Sequence, residues 1–359
     1  MNPAQILGAL AAVRDPYSGQ AIRVENLQIQ GVQVTFTVVL ASLASEKKQE
    51  LTFACIAAVQ GVYPDADVHV HLQMRAAQAT ESDSSVPQIK NIIAIGSGKG
   101  GVGKSTVAAN LAIALRELGA RVGLMDADLY GPSIPTMFGL QGERPNLRDV
   151  YGTTKIVPLE AHGIPLMSIG FIIEPEAAVV LRGPRLGSII KQFFNDCLWP
   201  ELDFLLIDLP PGTGDVQLTL VQTVPLTGVV LVTTPQEVAL IDAIKAMNMF
   251  QLPQVNVPIL GVIENMSWFT PAELPENKYY LFGKDGGKTL AKRSNSVLLA
   301  QVPLVQSIRE SGDMGMPIVS RPQETATADA FREAAKKLLQ QVAVRNEMLP
   351  PTNVIEVQR

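Results

Sequence analysis

Two different rhythms of apolar and polar residues divide the chain. From residue 91 onward, short continuous apolar runs recur: 91–95 (NIIAI), 121–125 (RVGLM), 165–169 (PLMSI), 203–207 (DFLLI), 228–233 (GVVLVT), 258–263 (PILGVI) and 297–301 (VLLAQ). Runs that do not alternate predict strands covered on both faces. Helix-period segments separate several of them, at 104–118, 185–196 and 236–250, and one more amphipathic helix is expected over 328–345. Strands alternating with helices predict an α/β fold, a doubly wound, mostly parallel sheet with helices on both sides.

Ahead of these runs the pattern differs. Residues 3–14 read as a helix and 33–40 (QVTFTVVL) as a strand. Residues 46–61 bring Leu51, Cys55 and Ala58, with Val62 just beyond, to helical spacing, while 66–72 (ADVHVHL) alternates strictly. This order predicts a small α+β domain. A polar, Ser-rich stretch, RAAQATESDSSVPQIK, then reads as a linker. The expected organisation is a small domain at 1–75, a linker at 76–88, the α/β domain at 89–345 and a polar tail at 346–359.

Composition narrows the function classes. A chain of 359 residues, 47% hydrophobic and 18% charged, has apolar content for two packed cores and is not a disordered chain. Its net charge of −5 gives no whole-surface attraction to nucleic acid or anionic lipid, so neither is expected as a partner. No apolar run approaches the ~18 residues of a membrane span, and the N-terminus lacks the basic start of a signal peptide. Cys55 and Cys197 form neither a disulfide framework nor a metal-ligand spacing, which suits a reducing compartment, and a cytoplasmic location is expected. Asp67, His69 and His71 share one side of a strand, and Lys284, Lys288, Lys292 and Arg293 form a short basic run; both are expected to be solvated faces. Phe331, Ala334, Ala335, Leu338 and Val342 make a stripe expected to pack on the chain's own domain.

The chemistry concentrates at 96–106, GSGKGGVGKST, where Gly98 through Ser105 satisfy G-x-x-x-x-G-K-[ST] between a predicted strand and a predicted helix. Gly98, Gly100, Gly101 and Gly103 allow a tight turn that points successive N–H groups, those of Lys99 and Val102 among them, into one concavity for phosphate oxygens. Lys104 would reach the β- and γ-phosphates of ATP, Ser105 would ligate Mg²⁺, and Thr106 can donate a further hydroxyl. Asp126 and Asp128 follow the second run in GLMDADLYGPSIP; one carboxylate suits the Mg²⁺ shell and the other the attacking water, with Asp126 assigned to the metal and Asp128 to the water. Asp208 closes the apolar run DFLLID, where it would hold Mg²⁺ through water, ahead of a loop, 210–215, suited to sensing the γ-phosphate. Asn265 follows the sixth run and would either read an adenine edge or form a turn. Glu264 has no assignment, and Arg182 faces either nucleotide or a dimer partner.

KGGVGKST (99–106), DADLYGPSIP (126–135), DLPPGTGD (208–215), TTPQEVALIDA (233–243) and ENMSWF (264–269) together resemble the Mrp/ApbC family of P-loop ATPases, iron–sulfur cluster carriers within the MinD/ParA-like superfamily. The resemblance covers roughly 89–345, and the first ~75 residues look like the small iron–sulfur assembly domain often fused ahead of it. It implies ATP hydrolysis, a nucleotide-bridged homodimer in which Lys99 crosses to the partner's nucleotide, and delivery of a cluster to recipient apoproteins. Many members carry C-x-x-C after the segment matching 264–267, whereas here WFTPAELPENKYYLFG (268–283) has no cysteine. Cys197 and Cys55 therefore remain either cluster ligands or packed apolar side chains, and an ATP-switched adaptor or positioning protein without a cluster is the alternative.

Overall fold

The computed structural model describes residues 1–14, 22–40, 48–74, 86–128, 131–172, 183–214, 217, 224–253, 255–271, 273–321 and 326–350. The chain divides into two compact units, one spanning 1–79 and taking in 343–350, the other spanning 80–342.

In the first unit, α1 (Pro3–Leu10) and α2 (Lys48–Gln60) accompany a sheet of β1 (Arg23–Gln30), β2 (Gln33–Leu40) and β3 (Asp67–Met74). The order is β1-β2-β3, with β1 antiparallel and β3 parallel to β2. Ile6, Leu10, Phe36, Leu51, Cys55 and Val59 form its core. Val59, rather than Val62, completes the buried stripe of α2, because the helix ends at Gln60 and leaves Val62 exposed. Strand β1 is not apparent from alternation. Its register slips between Glu25 and Gln28, where Asn26 takes φ 53°, so Val24, Leu27 and Ile29 fall out of period two.

The second unit is built on an eight-stranded sheet. Its strands are β4 (Ile89–Ser97), β5 (Val122–Asp126), β8 (Leu159–Ala161), β9 (Ile164–Ser168), β10 (Leu202–Asp208), β11 (Gly228–Thr233), β12 (Ile259–Glu264) and β13 (Leu298–Gln301). They lie in the order β13-β12-β11-β4-β10-β5-β9-β8, and only the short edge strand β8 runs antiparallel. A separate hairpin joins β6 (Leu147–Val150) to β7 (Thr153–Ile156).

Helices cover both faces, as the continuous runs predicted. On β4, Ile92 and Ala94 face one core with α5 (Gly183–Asn195), α6 (Glu237–Phe250) and α7 (Gly286–Arg293). Ile93 and Ile95 face the other, with α3 (Lys104–Glu117) and the C-terminal helix α9 (Ala326–Met348). The stripe Phe331, Ala334, Ala335, Leu338 and Val342 is buried in that second core. Each large apolar side chain so buried contributes roughly 1.5–3 kcal/mol. Two short helices, α4 (Ile134–Met137) and α8 (Gln306–Asp313), lie close to each other. No described helix is long and apolar enough to cross a membrane.

Candidate functional site

Central strands β4, β10 and β5 end together, and their carboxyl ends carry the polar residues singled out in the sequence. After β4 the chain turns sharply into α3, with Gly101 and Gly103 both at φ 80°. Gly98 lies so close to α6 that a Cβ there would sit 2.0 Å from the Asp242 carbonyl carbon and 2.2 Å from the Ala243 nitrogen. Only glycine permits that approach. The loop is tied to its surroundings: the Asn265 amide donates to the Val102 carbonyl (2.9 Å), the Gly212 N–H to the Ser97 carbonyl (3.0 Å) and the Leu209 N–H to the Ile95 carbonyl (3.1 Å). The glycine-rich turn thus opens the amino end of α3, where unpaired N–H groups and the helix dipole favour an anion.

Lys104, the first residue of α3, is 6% exposed and turns its ammonium back onto the strand ends. It donates to Asp208 Oδ1 at 2.7 Å and to Ser105 Oγ at 3.3 Å, and lies 3.6 Å from Asp128 Oδ2. Asp208 is 0% exposed, and its second oxygen, Oδ2, has no hydrogen-bond partner among the described residues. Burial pushes the Asp208 carboxyl above its ordinary value, against the opposing pull of Lys104 and the Ser105 hydroxyl. An orphaned, buried carboxylate oxygen beside a serine hydroxyl and a second aspartate is a set of hard oxygen donors, which fits Mg²⁺. Among the described residues no three His, Cys, Asp or Glu side chains converge as an all-protein metal cage.

Asp126 stands differently from its neighbours. Its Oδ1 accepts the Asp128 N–H (3.0 Å), and its Oδ2 accepts the Ser168 hydroxyl (3.0 Å) and the Ile134 N–H (3.3 Å). Both oxygens therefore hold protein groups, and Asp208 offers the open one. Burial first, then repulsion from Asp208, raises the Asp126 carboxyl against those donors.

Beside the loop lies a cavity of about 370 Å³, lined by Gly103, Thr106, Asn110, Asn265, Met137 and Ile308 among others. It has the volume of a small-ligand site and opens at the amino end of α3. Asn265 donates from its side-chain nitrogen to Val102, and no described group takes its carbonyl oxygen. Glu264, unassigned from sequence, is buried and structural: it accepts the Gly287 N–H at 2.6 Å and the Gln301 amide at 2.7 Å, fixing the start of α7. Ser168, Gln217 and Asn110 were not singled out in the sequence. The Gln217 amide donates to the carbonyls of Pro210 and Gly212, bracing the loop after Asp208. Asn110 accepts the Val319 N–H at 3.1 Å. A polar residue ending an apolar strand run, as Ser168 ends β9, is the signal that would have found the first of these.

Lys99 is half-buried on the loop and forms no ion pair with a described side chain, while its carbonyl accepts the Ser97 hydroxyl (3.1 Å). Cys55 and Cys197 lie in different units, each buried in an apolar core, and burial pushes their thiols up to about 11 and about 12. Both are thus packed side chains rather than exposed thiolates. His69 pairs with Asp67 at 3.1 Å on an exposed strand face. Asp215 and Arg182 fall outside the described residues.

Residues 88–339 match the ParA family described as NUBPL iron-transfer P-loop NTPase. An iron-sulfur cluster carrier protein of Synechocystis sp. is 44% identical over 345 residues, covering 94% of this chain and 97% of that protein. Among solved structures, a nucleotide-binding protein of Archaeoglobus fulgidus in complex with ADP is 37% identical, with a TM-score of 0.56, over 64% of this chain and 87% of that one. The septum site-determining protein MinD of Pyrococcus horikoshii, complexed with Mg-ADP, is 26% identical with a TM-score of 0.52, over 68% and 94% of the two chains. With its glycine turn, buried lysine and strand-end aspartates on one MinD/ParA-type sheet, the chain belongs to the iron-transfer P-loop NTPases of the ParA family.

Proposed function

We propose that this chain is an Mg-ATP-hydrolysing carrier that works as a nucleotide-bridged homodimer and passes an iron–sulfur cluster to recipient apoproteins. The observation that carries the ATPase reading is the Lys104 ammonium held between Asp208 and Asp128, beside an orphaned Asp208 oxygen. ATP phosphates entering the loop would meet the N–H groups at the start of α3 and draw Lys104 off Asp208. Asp208 and Ser105 are the residues that would then hold Mg²⁺, which supplies neutralisation of phosphate charge. Asp128 orients the attacking water, and Lys99 reaches toward the partner's nucleotide. The cavity beside Asn265 takes the nucleoside, with the free amide oxygen suited to an exocyclic amino group such as adenine's.

Asp128→Ala tests this assignment. ATP affinity should stay within about 3-fold of wild type while turnover falls at least about 100-fold, because orientation of the nucleophile is lost and phosphate binding is not. Unchanged turnover would place the water-orienting group elsewhere.

A second reading, an ATP-switched adaptor without a cluster, is favoured by one observation: both thiols are buried and held protonated. A thiolate-bound [4Fe–4S] cluster needs four deprotonated cysteines. Iron and acid-labile sulfide per chain after anaerobic reconstitution, with wild type and Cys197→Ser compared, decides between them. Near-stoichiometric cluster lost in the variant supports carriage; robust ATPase with no cluster supports the adaptor.

A further inference from the structure

Strands β5 and β9 run parallel with Asp126 directly beside Ser168. Both side chains are fully buried. The Ser168 hydroxyl donates to Asp126 Oδ2 at 3.0 Å and accepts the Gly170 N–H at 3.0 Å, so its own orientation is fixed from the next turn of chain. The other Asp126 oxygen accepts the Asp128 N–H. One carboxyl therefore links a hydroxyl on a rigid strand to the backbone of the residue that faces Lys104. Without the hydroxyl, Asp126 Oδ2 would keep only the longer contact to the Ile134 N–H, and the carboxyl would be free to turn about its side-chain bonds.

We propose that Ser168 is a positioning residue for ATP hydrolysis, acting through Asp126 to fix the Asp128 backbone and hence where the Asp128 carboxylate stands. The proposal rests on the ATPase reading, which gives Asp128 its role. Ser168 bonds to Asp126 and Gly170 and is not among the residues lining the cavity, so its effect falls on turnover and not on nucleotide affinity. Displacements of an ångström at a reacting group cost up to about 100-fold in rate.

The test measures ATP affinity, kcat and amide hydrogen exchange in Ser168→Ala, Ser168→Thr, Asp126→Asn and the double variant Ser168→Ala/Asp126→Asn. In Ser168→Ala, kcat should fall about 10-fold or more with ATP affinity within about 3-fold of wild type, and exchange at the Asp128 amide should quicken. Ser168→Thr keeps the hydroxyl and should recover turnover. Because the two residues act in series, the double variant should lose no more activity than Asp126→Asn alone. Wild-type kcat in Ser168→Ala overturns the proposal. So do parallel losses of affinity and turnover that add in the double variant, which would mark Ser168 as a packing residue. Wild-type protein that hydrolyses no ATP would overturn the ATPase reading and this proposal with it; a normal wild-type rate beside a normal Ser168→Ala rate overturns the proposal alone.

Discussion

A lysine–aspartate pair stands at each end of the neighbouring strands β4 and β10, with Lys90 on β4 itself and Lys104 at the start of α3, and the two pairs are close to equal in length. At the amino end Lys90 meets Asp203 at 2.9 Å; at the carboxyl end Lys104 meets Asp208 at 2.7 Å. Their surroundings differ. The Lys90 and Asp203 side chains are 46% and 25% exposed, whereas those of Lys104 and Asp208 are 6% and 0% exposed. Exposed pairs of this kind contribute about 0–1 kcal/mol, because water already solvates both partners. A buried pair has lost that solvation, and its attraction mainly offsets the loss. Asp203 is held well below the usual carboxylate range, first by the Arg121 guanidinium, next by the Arg121 backbone N–H and then by Lys90, while burial raises Asp208 despite its lysine. The same two residue types thus stabilise one end of the sheet and leave the other poised to exchange a counter-charge.

The largest expected effect comes from Lys104→Ala. ATP affinity should fall at least about 100-fold, since no other described side chain of the loop reaches the strand ends. Stability should also fall, by about 3 kcal/mol near neutral pH, because Asp208 is left as an uncompensated buried charge. The sign of the pH dependence follows from the raised carboxyl. The native state binds the proton more tightly than the unfolded chain, so stability is lost as pH climbs above about 4 toward the folded value. Urea midpoints of wild type and variant should therefore draw together as the pH is lowered from neutral toward the ordinary carboxylate value. A deficit that grows toward acid would mean Asp208 is not the strained partner.

Glycines sharpen the contrast. A Cβ at Gly98 meets the backbone of Asp242 and Ala243 at 2.0–2.2 Å, and neither α6 nor the loop can give way locally. A Cβ at Gly123, near the start of β5, meets the tips of side chains: Leu202 Cδ1 at 2.7 Å, Leu205 Cδ1 at 3.2 Å and Trp199 Cζ3 at 3.2 Å. Gly98→Ala should cost about 3 kcal/mol and abolish ATP binding, and Gly123→Ala about 1–2 kcal/mol with binding intact. Calorimetric titration with ATP beside thermal unfolding of both variants checks this.

The two ends were also unequally legible in the sequence. At the carboxyl end, glycines, Lys104 and the strand-end aspartates stand at spacings that chemistry restricts, and the continuous runs place them on parallel strands. The sequence pattern also places the small unit's β2, α2 and β3. It does not reveal β1, whose bulge at Asn26 breaks the period, or the short helix α8, which lines the cavity. Nor does the pattern distinguish Asp126 from Asp208. Both end apolar strands, and only the hydrogen bonds from Ser168, Ile134 and Asp128 occupy both oxygens of the first while the second keeps an oxygen without a partner among the described residues. Cys197 was equally ambiguous until its burial in the core of the large sheet set it among Phe193, Trp199 and Leu202.

The smallest effect belongs to the exposed pair. Lys90→Ala should cost no more than about 0.5 kcal/mol, and its coupling to Asp203, from a double-mutant cycle with Asp203→Asn, should be about 0.2–1 kcal/mol at low salt. Asp203 keeps the Arg121 backbone N–H at 2.9 Å and the guanidinium at 3.2–3.3 Å when Lys90 is gone, so most of its environment survives. Whatever stability Asp203 does contribute is present above its unfolded value and lost as pH falls through about 4 and below, opposite in direction to the buried site. Raising the salt to about 1 M should remove most of the Lys90 coupling, because both partners sit in water where a Debye length of about 3 Å screens them. Lys104 and Asp208 lie outside that screening. A coupling at Lys90–Asp203 that matched the buried pair in size and ignored salt would show that something other than burial separates the two ends of the sheet.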